Sequence, residues 1–81
     1  MSTNHELELY MKSTCPYCIK VMSFMEDNSI AVPLRDIEAD EEAAKTLISV
    51  GGKRQVPCLF IDGQPLYESD DIIAWLRANA L

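Results

Sequence analysis

The sequence predicts an α/β domain in the order β-α-β-α-β-β-α, a mixed four-stranded sheet with helices on its faces. Three observations carry this. Residues 5–11 alternate apolar and polar, with Leu7, Leu9 and Met11 on one face and Glu6, Glu8 and Tyr10 on the other, the pattern of a half-buried strand. Residues 16–27 carry Val21, Met22, Phe24 and Met25 at helical spacing. Asp62-Gly63, between the apolar run Cys58-Leu59-Phe60-Ile61 and the segment 64–67, is a type I′ hairpin signal.

The remaining elements follow in chain order. Asn28-Ser29 ends the first helix, and residues 30–37 read as a second strand with Val32 and Leu34 inward and Arg35 in solvent. Asp40 is a good N-cap for a helix over 41–50 with Ala44, Leu47 and Ile48 on its inner face, and Gly51-Gly52 stops it. A strand-helix-strand order in the first half implies a parallel pair joined by a crossover. Ser69 is read as the cap of a last helix that buries Ile72, Ile73 and Leu76. His5 is expected in solvent without a partner.

At 81 residues the chain reads as one domain over 1–81. A chain of this size buries roughly 60% of its unfolded surface, and a 48% apolar composition is enough for that core. No run approaches the roughly 20 apolar residues of a membrane span, and residues 1–11 lack the basic-then-apolar order of a signal peptide. A soluble, cytoplasmic protein is expected. Thirteen acids against seven bases give a net charge of −6, which argues against nucleic acid or an anionic membrane as partner. The acids at 38–42 and 70–71 sit near helix starts, where the macrodipole favours them.

The chemistry concentrates in Lys12-Ser13-Thr14-Cys15-Pro16-Tyr17-Cys18, a strand end, a turn and a helix start. With Cys15 as N-cap, Pro16 takes the first helical position, where its missing N–H costs nothing. Tyr17 and Cys18 then turn free N–H groups toward the Cys15 sulfur, and the positive helix end favours a thiolate there. Lys12 adds a nearby cation, so the Cys15 pKa is expected to fall. Cys18 lies one turn inward without those advantages. The pair is therefore asymmetric, with Cys15 the attacking thiol and Cys18 the resolving one. Cys58, the third cysteine, reads as a small buried hydrophobe, with an extra oxidisable thiol as the alternative. Three cysteines do not make a dispersed disulfide framework. Cys15, Cys18, Cys58 and His5 make a poor zinc set, so no metal is expected.

Cys15-Pro16-Tyr17-Cys18, then Val56-Pro57, then Ser69-Asp70-Asp71 opening the last helix, together resemble the dithiol glutaredoxins over essentially the whole chain. The resemblance implies a thioredoxin-like fold, a cis bond before Pro57, and a glutathione groove. In it Val56 pairs its backbone with the extended tripeptide, beside Lys12, Tyr17, Gln55 and Pro57. Ser69 and Asp70 would hold the γ-glutamyl end, and Lys53 or Arg54 the glycyl carboxylate. It further implies thiol–disulfide exchange on glutathionylated proteins and protein disulfides, with glutathione as co-substrate, glutathione reductase as indirect electron source, and a monomer.

The chain departs from the family in Gln55, where threonine is usual, and in Tyr67-Glu68, where a glycine pair is usual. Tyr67-Glu68-Ser69-Asp70 looks instead like the glutathione-binding corner of glutathione transferase N-terminal domains. Three alternatives stand beside the reading: a scaffold holding a [2Fe–2S] cluster through Cys15 and glutathione, a transferase-like glutathione domain, and a redoxin served by thioredoxin reductase.

Overall fold

The first strand lies inside the sheet rather than at its edge, and the rest of the architecture follows from that. In the computed structural model, which describes residues 5–81, β1 (Leu7–Met11) has β2 (Leu34–Asp36) on one side and β3 (Cys58–Ile61) on the other, with β4 (Gln64–Tyr67) outermost, in the order β2-β1-β3-β4. The expectation about a signal peptide falls partly on residues 1–4, which lie outside the described residues. β1 and β2 are parallel, with Leu9 opposite Leu34. β1 and β3 are antiparallel, with Leu9 opposite Leu59, and β3 and β4 are antiparallel, with Cys58 opposite Tyr67. The hairpin turn has φ of 51° at Asp62 and 84° at Gly63, the two positive values that a type I′ turn requires.

Among the described residues three helices sandwich this sheet: α1 (Pro16–Asp27), α2 (Glu41–Gly51) and α3 (Ser69–Asn79). On one face Leu9, Met11 and Leu59 meet Cys18, Val21 and Met25 of α1 and Ile72 and Leu76 of α3. On the other, Tyr10, Cys58 and Phe60 meet Ile37 and, from α2, Ala43 and Leu47. β1 is thus covered on both faces, and Tyr10, expected on a solvent face, is 1% exposed. Its ring packs on Phe60 with centroids 4.5 Å apart. Among the described residues no helix is long and apolar enough to cross a membrane.

Several local expectations are corrected. The second strand spans only Leu34–Asp36, because Pro33 fixes φ and carries no N–H, although its carbonyl still accepts from Leu9 N–H at 2.9 Å. Alternation therefore does not run through Pro33: Val32 is buried but Leu34 is 49% exposed. Arg35 lies over the Tyr10 ring at 5.4 Å and pairs with Glu8 at 3.5 Å and Asp40 at 3.4 Å, so it is not a free surface cation. On α2 the buried pair is Ala43 and Leu47, and Ile48 is 47% exposed. Asp40 caps that helix as expected, accepting from the N–H of Glu42 at 3.0 Å and of Ala43 at 3.4 Å, and Gly52 closes it in the left-handed region at φ 87°. α3 begins at Ser69 itself, so its N-cap is Glu68, at φ 70°, and no side chain caps it. His5 is paired with Asp62 and stands edge-on to the Trp75 ring.

Candidate active site

β1 delivers the chain to the N-terminus of α1 through a turn closed by the Cys15 N–H donating to the Lys12 carbonyl at 3.2 Å. Cys15 is the N-cap, in extended conformation at φ −83° and ψ 120°, and its carbonyl accepts the first bond of α1 from Ile19 N–H at 2.9 Å. Pro16 occupies the position where a helix needs no N–H donor. As a neutral thiol Cys15 makes no capping hydrogen bond of ordinary geometry. Partial burial alone would raise its pKa. The N–H and thiol of Cys18, the N–H of Tyr17 and the Lys12 charge together outweigh that, and the net displacement is downward. The donors a serine oxygen would use thus stabilise the charged sulfur instead.

Cys18 is a different group three residues on. It is fully buried in the α1 side of the core, and burial pushes its thiol up to about 12, even though the Lys12 backbone N–H donates to its Sγ at 3.4 Å. All three cysteines are free thiols. Cys58 is likewise fully buried, and burial raises it to about 11. The Tyr67 hydroxyl, the Leu66 backbone and the Lys53 charge pull the other way without outweighing burial, so Cys58 is a buried thiol with polar neighbours.

By the first turn of α1 a groove of about 430 Å³ is lined by Tyr17, Gln55, Val56, Pro57, Glu68, Ser69 and Asp70. Six of these were singled out from the sequence, and the fold brings them together from three separate segments. Tyr17 is 64% exposed, so its ring faces the groove and solvent rather than the core. The Val56-Pro57 bond is cis. Gln55 Nε2 donates to Glu68 Oε1 at 3.1 Å, linking the two walls. Ser69, at the first position of α3, is buried, and Asp70 beside it pairs with Lys20 of α1. Lys12 does not line this groove; its Nζ lies 3.8 Å from Glu38 Oε2, near the thiols. Lys53 is drawn to the Tyr67 ring at 4.6 Å, and Arg54 is exposed. A larger depression of about 650 Å³, between His5, Glu8, Pro33, Phe60 and Ala80, takes no residue from the Cys15–Cys18 segment, whereas the smaller groove takes Tyr17 from it, so position relative to the thiols and not size identifies the site.

Three further residues shape the site: Glu68 and Tyr67, which the sequence marks only as part of the corner before Ser69, and Lys20, which it does not mark. Glu68 lines the groove. Lys20 meets Asp70 through the packing of α1 against α3, which no local pattern reveals. Tyr67 binds chain distant in sequence, with its hydroxyl on the carbonyls of Gly51 and Lys53.

Residues 7–66 match the family model for glutaredoxin. A probable glutaredoxin of Synechocystis sp. is 32% identical over 82 aligned residues, covering 100% of this chain and 93% of that protein. Among solved structures, oxidized glutaredoxin 2 from Chlamydomonas reinhardtii is 29% identical with a TM-score of 0.66, over 94% of this chain and 75% of that one. The buckwheat glutaredoxin–glutathione complex shares the fold, with a TM-score of 0.71 at 20% identity over 94% of this chain and 72% of its own. With a Cys-x-x-Cys pair at the start of α1 and relatives of this kind, the chain belongs to the glutaredoxin family and is a thiol–disulfide oxidoreductase.

Proposed function

We propose that the protein is a glutathione-dependent reductant of glutathionylated proteins and protein disulfides. The observation that carries this is the groove that takes in Tyr17 of the Cys15–Cys18 segment, with Gln55, Val56 and Pro57 in one wall and the N-terminus of α3 in the other. An extended tripeptide with a carboxylate at each end suits such a site. Backbone groups of Val56 pair with the cysteinyl unit, as an added strand does. The first N–H groups of α3, at Ser69 and Asp70, receive the γ-glutamyl carboxylate, where the helix end favours an anion. The Asp70 carboxylate takes the adjacent ammonium, sharing itself with Lys20. Lys53 or Arg54 meets the glycyl carboxylate.

Catalysis then runs on one sulfur. The Cys15 thiolate attacks the glutathione sulfur of a protein–glutathione disulfide, the S–S bond breaks, and the protein thiolate leaves and takes a proton. Cys15 is left disulfide-bonded to glutathione in the groove. A second glutathione thiolate attacks the glutathione sulfur of that disulfide, releasing oxidised glutathione and regenerating the Cys15 thiolate. For a protein disulfide, Cys15 forms a mixed disulfide with the substrate and Cys18 attacks the Cys15 sulfur. The resulting Cys15–Cys18 bond is reduced by two glutathiones. Cys18, held as a thiol by burial, must lose its proton for that step. Glutathione reductase supplies electrons indirectly, the setting is the cytoplasm, and the chain acts as a single domain and as a monomer, without nucleic acid or membrane.

The test is reduction of a glutathionylated peptide by glutathione, coupled to glutathione reductase. Turnover that depends on both glutathione and Cys15 supports the reading. Turnover with thioredoxin reductase and NADPH but not with glutathione would overturn it.

A further inference from the structure

Tyr67 ends β4 immediately before the groove, and the sulfur chemistry makes no use of it. Its half-buried ring packs against the core cluster on the α2 face. Its Oη lies 3.1 Å from the Gly51 carbonyl oxygen and 3.2 Å from that of Lys53. A hydroxyl has one proton, so the two carbonyls share it in a three-centre bond or take it in turn, while the Cys58 thiol on β3 is a third polar neighbour of the same oxygen. The Lys53 ammonium stands 4.6 Å above the ring centroid, within range of the ring's negative face. Gly51 is fitted to this joint: a Cβ at that position would overlap Oη. The hydroxyl, the two carbonyls and the absent side chain at Gly51 therefore act as one connection between β4 and the end of α2.

Both strands of chain leaving that joint become walls of the groove. Beyond Lys53 the chain runs on to Gln55, Val56 and Pro57; beyond Tyr67 it runs on to Glu68, Ser69 and Asp70. The Gln55–Glu68 hydrogen bond at 3.1 Å is a second rung between the same walls. We propose that Tyr67 is a positioning residue, which through its hydroxyl on Gly51 and Lys53 fixes the width of the groove and with it the affinity for glutathione. This inference rests on the glutathione reading of the groove given above. A loop already held in place does not have to be ordered by the ligand, so the joint acts on binding. No group of the joint touches Cys15, so the thiolate and the exchange step are left alone.

The experiment compares wild type, Tyr67→Phe, Gly51→Ala and the double variant, with glutathione varied against a glutathionylated peptide. Tyr67→Phe keeps the ring and removes the hydroxyl. It should raise the KM for glutathione about threefold to tenfold, the size of one net hydrogen bond, with kcat and the pH midpoint of Cys15 alkylation unchanged. Gly51→Ala should also raise KM, but should add little in the Tyr67→Phe background, where the opposing oxygen is gone. Wild-type turnover with an unchanged KM in Tyr67→Phe, or KM effects that simply multiply in the double variant, would overturn the joint and leave the glutathione reading standing. A wild-type protein that does not turn over with glutathione would overturn that reading and the inference with it.

Discussion

Replacing Leu47 and Ile48 of α2 one at a time by alanine separates the packing in this structure from a reading of apolar residues alone. Leu47 is 0% exposed and Ile48 is 47% exposed, although both are large, aliphatic and adjacent. Leu47 meets Tyr10, Cys58 and Phe60 in a small cluster in which the other contribution from α2 is Ala43, too short to fill a void. Leu47→Ala therefore removes buried methyl groups and leaves a cavity, at a cost of about 3 kcal/mol within the usual 2–5. For a domain of this size that lowers the melting temperature by roughly 12–24 °C, at about 4–8 °C per kcal/mol. It is also a large share of the roughly 5–15 kcal/mol by which a native domain is stable. Ile48→Ala should stay within about 0.5 kcal/mol of wild type, since lost surface contact is offset by the better helix propensity of alanine. Urea unfolding followed by circular dichroism gives both values from midpoints at constant slope. Equal effects for the two variants, or a loss below about 1 kcal/mol for Leu47→Ala, would refute the placement of α2 on the sheet.

Three further outcomes are expected. The rate of Cys15 alkylation by iodoacetamide should rise with pH around a midpoint below that of an ordinary thiol, and Lys12→Met should move it up only slightly, because the helix N–H groups and Cys18 act more strongly than the lysine charge. Asp40→Ala removes the acceptor for the N–H groups of Glu42 and Ala43 and should cost about 1 kcal/mol, or about 4–8 °C in melting temperature by calorimetry. Cys18 and Cys58 are held above an ordinary thiol, so the unfolded chain releases their protons first. Their contribution to stability should be complete below the unfolded thiol pKa and fall as pH rises through about 11 for Cys58 and about 12 for Cys18, measured as a declining urea midpoint in alkaline buffers.

How far the sequence could be read depended on the range of the interaction. Asp40 as cap, Gly52 as stop, the Asp62-Gly63 turn and the thiol at the start of α1 are set by neighbours a few residues away, and each is where the local pattern puts it. The side of α2 that meets the sheet is not local: Ile48 and Leu47 are equally apolar, and the packing of α2 over Tyr10 selects Leu47. The same packing turns β1 from a strand buried on one face into one covered on both faces over Leu9, Tyr10 and Met11. At the groove, the sequence motifs supplied the residues, but not the contacts among them. The pairing of Lys20 with Asp70, the Gln55–Glu68 bridge and the Tyr67 joint arise only when α1, the chain before β3 and the start of α3 are brought together. Glu68 sits at φ 70°, a backbone region that favours glycine, so its residue type does not announce its conformation.

The central claim is that Cys15 is the sulfur that carries glutathione. Mass spectrometry of the Cys18→Ser protein after brief exposure to oxidised glutathione tests it most directly, because that variant cannot expel the adduct. A single glutathione is expected, located by peptide mapping on Cys15 and removed by reduced glutathione. An unmodified Cys15, or an adduct found on Cys58 instead, would contradict it.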